Sequence, residues 1–299
     1  MTPSAAPAMS PRMNPMPPLN PYVSRIRDLI YQEAGIFYAE NKLHTLQDRC
    51  EKRMGELGSL SLQTYYEQLR VDTARSEITS LLNNITVGET CFFRNQPQLD
   101  ALRRIVLPRI VQAQEKTAVH KIRIWSAGCS TGEEPYTLAM LMLEEKAGLL
   151  KDFSFDVQAT DLNELSLEHA RKGLYGGYSV RNLTTFFRQK YFTSAGDSLQ
   201  ISPRVQALVN FSRVNLFDSA RMSLMKAMDI IVCCNVLIYF NSASKKTVIQ
   251  HFCSSLQKHG YLFLGHSESL YGISDEFRLV HLPSATAYVK ADREQGASR

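Results

Sequence analysis

An α/β fold with a mostly parallel sheet, preceded by a small all-α domain, is the architecture that this 299-residue sequence predicts. Three observations carry the prediction. Residues 22–83 place apolar side chains at helical spacing and contain no strand-like run. From Lys121 onward, short apolar runs alternate with helical segments, the mark of βα units whose sheet is covered on both faces. The hydrophobic fraction is 44% and the charged fraction 21%, a globular balance in a chain long enough to bury a large core.

The elements follow in order. Met1 to Pro21 is rich in Pro, Met, Ser and Ala and reads as a disordered tail. It lacks the basic leader and unbroken apolar core of a secretory signal, which favours the cytoplasm. In the helical domain, residues 22–83, Ile26, Leu29 and Ile30 share a face, and Leu43, Leu46, Cys50 and Met54 repeat the spacing. Gly55 and Gly58 break the pattern, and two further helices span 61–71 and 74–82. Residues 84–95 form a connector. A helix starts near Gln96, and Pro108 ends or bends it.

The second domain covers 96–290. Ile122 to Ala127 reads as a buried strand, followed by a Gly-bearing turn and a helix over 133–145. A second strand, 153–159, ends at Thr160 and Asp161, and a helix covers 165–171. Residues 173–208 look irregular. Strands follow at 209–213, 229–234 and 261–265, with a helix over 244–257 between the last two. Phe277 to His281 and Ala285 to Lys290, separated by three residues, form an antiparallel hairpin. Residues 291–299 read as a flexible tail.

Composition excludes several classes. The longest apolar runs, such as Ile230 to Cys234, fall far short of the ~18 residues of a membrane span, so no direct membrane insertion is expected. The six cysteines form no CxxC pair, so neither a metal site nor a disulfide framework is expected. Net charge is +5, with seven Lys/Arg against two acids between Arg94 and Arg123. Such a patch can steer an acidic partner. No Lys/Arg-rich run or RNA-binding aromatic motif occurs, so nucleic acid is not an expected partner.

Four segments carry chemistry. Ser126 to Pro135 joins the first strand to its helix, where open α/β sheets bind ligands. Glu133 and Glu134 sit at the helix start, where a dinucleotide-binding fold would hold pyrophosphate. Two carboxylates repel phosphate and suit a cationic ligand such as S-adenosylmethionine, although acids there also complement the helix dipole. Asp161 is placed to accept hydrogen bonds from ribose hydroxyls, or to cap the next helix. Asn235 to Phe240 follows the strongest strand, so Asn235 and Tyr239 can face the same cleft or form a polar turn. In the connector, Thr90 to Arg94 offers a guanidinium whose fork matches a carboxylate, or an ordinary surface Arg.

Together, Thr90–Arg94, Trp125–Tyr136, Ala159–Asp161, Asn235–Phe240 and Gly260–Glu268 resemble the CheR family of chemotaxis-receptor protein-glutamate O-methyltransferases. They occur in the family's order, and the resemblance spans most of residues 30–290. It implies a class I, Rossmann-like methyltransferase domain behind an all-α domain. The expected activity is methyl transfer from S-adenosylmethionine to glutamate carboxylates of chemoreceptors, for adaptation in chemosensory signalling. By resemblance, Thr90, Arg94, Glu134, Asp161, Asn215, Leu216, Asn235 and Val236 bind the cofactor. Arg94 and Tyr239 lie near the methyl group and serve catalysis or substrate placement. Arg49, Lys52 and Arg53 share a helix face, and Arg49 and Arg53 are expected to meet the cytoplasmic helical domain of the receptor. A monomer is expected. One departure stands out: Gly88 occupies a position where many members carry Asn, and Glu89 is a possible substitute.

Three rival readings conflict with particular residues. A non-catalytic S-adenosylmethionine-binding adaptor conflicts with intact Arg94 and Tyr239. A small-molecule O-methyltransferase conflicts with the helical domain and the connector. A nicotinamide oxidoreductase conflicts with the glutamates at the helix start.

Overall fold

The computed structural model describes residues 19–86, 88–115 and 120–291. The helical domain holds α1 (Pro21–Ala34), α2 (Leu43–Leu57), α3 (Leu62–Val71) and α4 (Ser76–Ile85). Val23, Ile26, Ile30 and Ala34 of α1 turn inward at helical spacing and pack with Leu43, Leu46 and Cys50 of α2. The expected N-terminal tail lies mostly outside the described residues, but its last part is structured. The Asn20 side chain accepts the N–H of Tyr22, and Pro21 opens α1 with its φ already set. Gly55 does not break α2, because it is exposed and costs only propensity; Gly58 ends the helix.

After the connector come α5 (Gln96–Ala101), a π-turn (Leu102–Val106) and α6 (Leu107–Gln114). Pro108 therefore does not end the helix. The wider turn just before it accommodates a residue with no N–H, with Leu107 bonding back to Leu102.

The α/β domain continues with β1 (Lys121–Ala127), α7 (Glu133–Glu145), β2 (Ser154–Asp161) and α8 (Glu164–Lys172). Then follow β3 (Leu174–Tyr175), α9 (Thr185–Tyr191), β4 (Phe192–Ala195), β5 (Ser198–Ile201) and α10 (Pro203–Gln206). The chain ends through β6 (Val209–Arg213), α11 (Ser219–Met222), β7 (Met228–Cys233), α12 (Ser242–Ser255), β8 (Leu256–Leu264), β9 (Phe277–Leu282) and β10 (Ala285–Lys290). The main sheet runs β6-β2-β1-β7-β8-β10-β9. The first five strands are parallel, and β10 is antiparallel to both its neighbours. Side-chain alternation along β1 sends Ile122 and Ile124 into one core and Trp125 and Ala127 into the other.

Two expectations need correction here. Residues 173–208 are not irregular, since β3, β5 and β4 form a small antiparallel sheet in that order. Its strands are two to four residues long and β4 is largely exposed, too short to show a period. The expected C-terminal tail begins one residue early, because the N–H of Ala291 bonds Glu276 O at 2.8 Å; residues 292–299 lie outside the described set.

The domains are joined by Asn163, which is 5% exposed. Its amide donates to the carbonyls of Asn83 and Thr86, both at 2.9 Å, while its oxygen caps α8 at the N–H of Ser166. Asn163→Ala removes a cap and strands two part-buried carbonyls. It should cost about 2 kcal/mol of unfolding free energy, read as a lower denaturant midpoint with an unchanged slope.

Candidate active site

A cavity of about 780 Å³ opens at the carboxyl ends of β1, β2, β6 and β7. That volume suits a small-molecule site, for which roughly 300–1,000 Å³ is typical, and its place is where open α/β sheets bind ligands. Thr90 and Arg94 reach it from the connector, and Glu134 from the start of α7. Asp161 stands at the end of β2, Asn215 and Leu216 after β6, and Asn235, Val236 and Tyr239 after β7. The cavity thus brings together all nine residues that motif reading assigns to cofactor or catalysis. Arg49 and Arg53 do not line it.

Asp161 is not the helix cap, which is Asn163. One Asp161 oxygen accepts the N–H of Ser130 and the other the N–H of Asn163, each at 2.8 Å. Burial raises its pKa, and these backbone donors oppose the rise. Glu134 accepts the Ser126 hydroxyl at 2.6 Å and lines the cavity. Burial pushes its carboxyl up to about 7; the Ser126 hydrogen bond and the Arg94 charge pull the other way, and Glu268 adds to the rise. Among the described residues no cation forms an ion pair with it.

The adjacent Glu133 has a different job from the one expected. It is 1% exposed, and its oxygens accept the hydroxyls of Thr131 and Ser179, both at 2.7 Å. Only Glu134 of the pair faces the cavity.

Arg94 is exposed at the cavity, donates to Glu89 O at 2.8 Å, and forms no ion pair among the described residues. Tyr239 is 44% exposed on a short 3-10 turn whose carbonyl accepts the N–H of Phe37 at 2.9 Å. The Asn215 side chain is committed elsewhere. Its amide donates to Glu33 O at 2.7 Å and its oxygen accepts the N–H of Phe217 at 3.0 Å. A Cβ at Gly88 would lie 2.6 Å from Ser130 Oγ, so a side chain there would require that hydroxyl to rotate away. Glu89 lines the cavity beside it.

The basic helix face also differs from expectation. Arg53 makes a two-pronged bond to Glu77, at 2.9 and 2.8 Å, and a third to Glu56, so its fork is used up within the helical domain. Among the described residues Arg49 hydrogen-bonds only Asn84 O, at 3.4 Å, and Lys52 is exposed. Sequence reasoning missed Ala34 and Ile36, through which the helical domain supplies part of the cavity wall. Helical periodicity marks them only as apolar.

A family model for the CheR methyltransferase SAM-binding domain matches residues 88–286, and one for the CheR all-alpha domain matches 23–86. The chain belongs to the CheR methyltransferase family. The chemotaxis protein methyltransferase 2 of Vibrio cholerae is 35% identical over 267 residues, 89% of this chain and 91% of that protein. A chemotaxis protein methyltransferase of Borreliella burgdorferi is 32% identical over 251 residues, 84% of this chain and 88% of its own. The Cher2 protein of Pseudomonas putida is 30% identical over 268 residues, covering 88% and 96%.

The cofactor of this CheR-family chain is S-adenosylmethionine, and the residues present fit it. Glu134 is a carboxyl at a helix start that forms no ion pair among the described residues; a cofactor ammonium beside it would favour its ionised form, whereas a phosphate would not. Asp161 is a carboxylate able to accept from hydroxyls.

Glu134 also makes the ligand-free protein pH-sensitive. Its carboxyl rises from an ordinary 4.5 to about 7 on folding. Between those values the folded state keeps a proton that the unfolded chain has lost. Stability therefore falls as pH rises through the window and levels off above it. Glu134→Gln should flatten the decline of Tm between about pH 5 and about pH 7; profiles parallel to the parent's would count against this account.

Proposed function

We propose that the protein transfers the methyl group of S-adenosylmethionine to glutamate side-chain carboxylates of chemoreceptors, giving methyl esters for adaptation. The observation that carries this reading is Arg94, an exposed guanidinium at the cavity that donates to the backbone carbonyl of Glu89 and forms no ion pair among the described residues. An incoming carboxylate is the partner that its planar fork fits best.

When bound, S-adenosylmethionine would supply an electrophilic sulfonium methyl, with S-adenosylhomocysteine as the product. A glutamate acceptor is already ionised near about pH 7, so the chain needs no strong general base. Its work is to place the nucleophile and exclude water. Arg94 orients the acceptor, and the Tyr239 hydroxyl donates a hydrogen bond that fixes one acceptor oxygen. Glu134 holds the cofactor's ammonium and Asp161 its ribose hydroxyls. Thr90, Asn215, Leu216, Asn235 and Val236 complete the pocket, with Asn215 acting through its backbone because its amide is committed to Glu33.

The protein works as a monomer in the cytoplasm on the helical domain of the receptor. None of its described helices is long and apolar enough to cross a membrane. Arg49 is the better receptor contact, since Arg53 is held by Glu77 and Glu56.

The deciding assay uses methyl-labelled S-adenosylmethionine with chemoreceptor-bearing membranes and counts methanol released by mild base. Base-labile label on the receptor, abolished by Asp161→Ala, is the expected result. Arg94→Ala should lower kcat by about 100-fold in a protein that still folds; unchanged turnover would remove Arg94 from the mechanism. Separately, Arg49→Glu should weaken receptor methylation by about tenfold while sparing S-adenosylhomocysteine binding. Arg53→Glu should instead lower Tm, because it replaces the cation between Glu77 and Glu56 with a third carboxylate; loss of cofactor binding in Arg49→Glu would reject the receptor-contact role.

A further inference from the structure

Glu268 follows β8, and its side chain turns back onto the ends of two strands. Its Oε2 accepts the N–H of Gly265 at 2.8 Å and the N–H of Asn235 at 2.9 Å. Its Oε1 is buried and has no hydrogen-bond partner among the described residues. Both backbone donors belong to residues that line the cofactor cavity.

Two further features make this contact more than a local turn. Asn235 has φ of 62°, in the left-handed region that glycine adopts freely and Asn tolerates at a small cost, so a fixed partner for its N–H helps to keep it there. The approach of the three groups is also close. A Cβ on Gly265 would lie 2.7 Å from Glu268 Oε2 and 2.9 Å from Asn235 N, so only glycine lets the carboxylate reach both strands. A carboxylate is the strongest side-chain acceptor for paired N–H groups. Leaving its second oxygen buried and unbonded is costly for folding, and a function for the first oxygen accounts for the cost.

We propose that Glu268 is a positioning residue of the cofactor site, clamping the N–H groups of Asn235 and Gly265 on one oxygen so that Asn235 and Val236 stay in the cavity wall. The role does not depend on which acceptor is methylated.

The test is calorimetric titration of the full chain with S-adenosylhomocysteine. Glu268→Asp keeps the charge but is one methylene too short to reach both donors. Glu268→Gln loses the charge but keeps a carbonyl oxygen at full reach. Glu268→Asp should raise Kd by about tenfold or more, and Glu268→Gln by less than about threefold. Glycine adopts positive φ freely, so in an Asn235→Gly background Glu268→Asp should add less than about twofold. A purely stabilising contact would add its full loss in that background.

Several outcomes would overturn the proposal. Parent-like binding by Glu268→Asp is one. Another is a loss in Glu268→Gln as large as in Glu268→Asp, which would assign the effect to charge. Additive losses in the double variant, or its failure to fold as seen by thermal unfolding, would make Glu268 a scaffold residue only. A parent protein that binds no S-adenosylhomocysteine would instead overturn the cofactor assignment and this role with it.

Discussion

The carboxylate of Asp161 sets the width of the cavity. It is a buried carboxyl that forms no ion pair among the described residues, a costly arrangement unless hydrogen bonds replace its water. Ser130 supplies one N–H from the loop after β1, and Asn163 supplies the other from the turn into α8. Neither loop can move away without stripping a buried charge of a donor. That same turn presents the Asn163 amide to Asn83 and Thr86, which sets where the connector enters. The position of Thr90 and Arg94 over the cavity thus depends, through one turn, on the acid at the end of β2.

Much of this frame is legible in the sequence because parallel strands buried on both faces must be apolar throughout. The run Ile230 to Cys233 in β7 could hardly be anything else, and β1 still reads as a strand because Ile122, Ile124, Trp125 and Ala127 are apolar around Arg123 and Ser126. The polar residues directly after such runs are then placed by topology, so Asp161 and Asn235 were readable before any geometry. What was hidden depends on neighbours distant in sequence. Glu133 and Glu134 differ by one position, and two hydroxyls, one of them on Ser179, decide which acid is consumed. Arg53 reads as a free cation until Glu77, on another helix, lies across from it. Asn215 reaches the cavity, yet its amide is taken by Glu33. The small sheet of β3, β5 and β4 escaped for another reason, since strands of two to four residues carry no usable period.

The helical domain is part of the site, not an appendage. Ala34 and Ile36 line the cavity, Ile36 pairs with Phe240, and Phe37 bonds the carbonyl of Tyr239. A ligand that fills the cavity contacts both domains, so its binding energy is shared with their junction. By linkage, anything that strengthens the junction strengthens the ligand, and the reverse.

The strand order carries a consequence for how the chain is made. β10 lies between β8 and β9, although β9 is earlier in sequence. A ribosome therefore delivers β9 before the strand that connects it to the sheet. Until then the open side of β8 is an unpaired edge, exposed to association with other chains. The Phe277–Lys290 hairpin closes on itself through six paired positions. The two strands can form as a local unit and dock together, which shortens the exposure to the time of a single docking step.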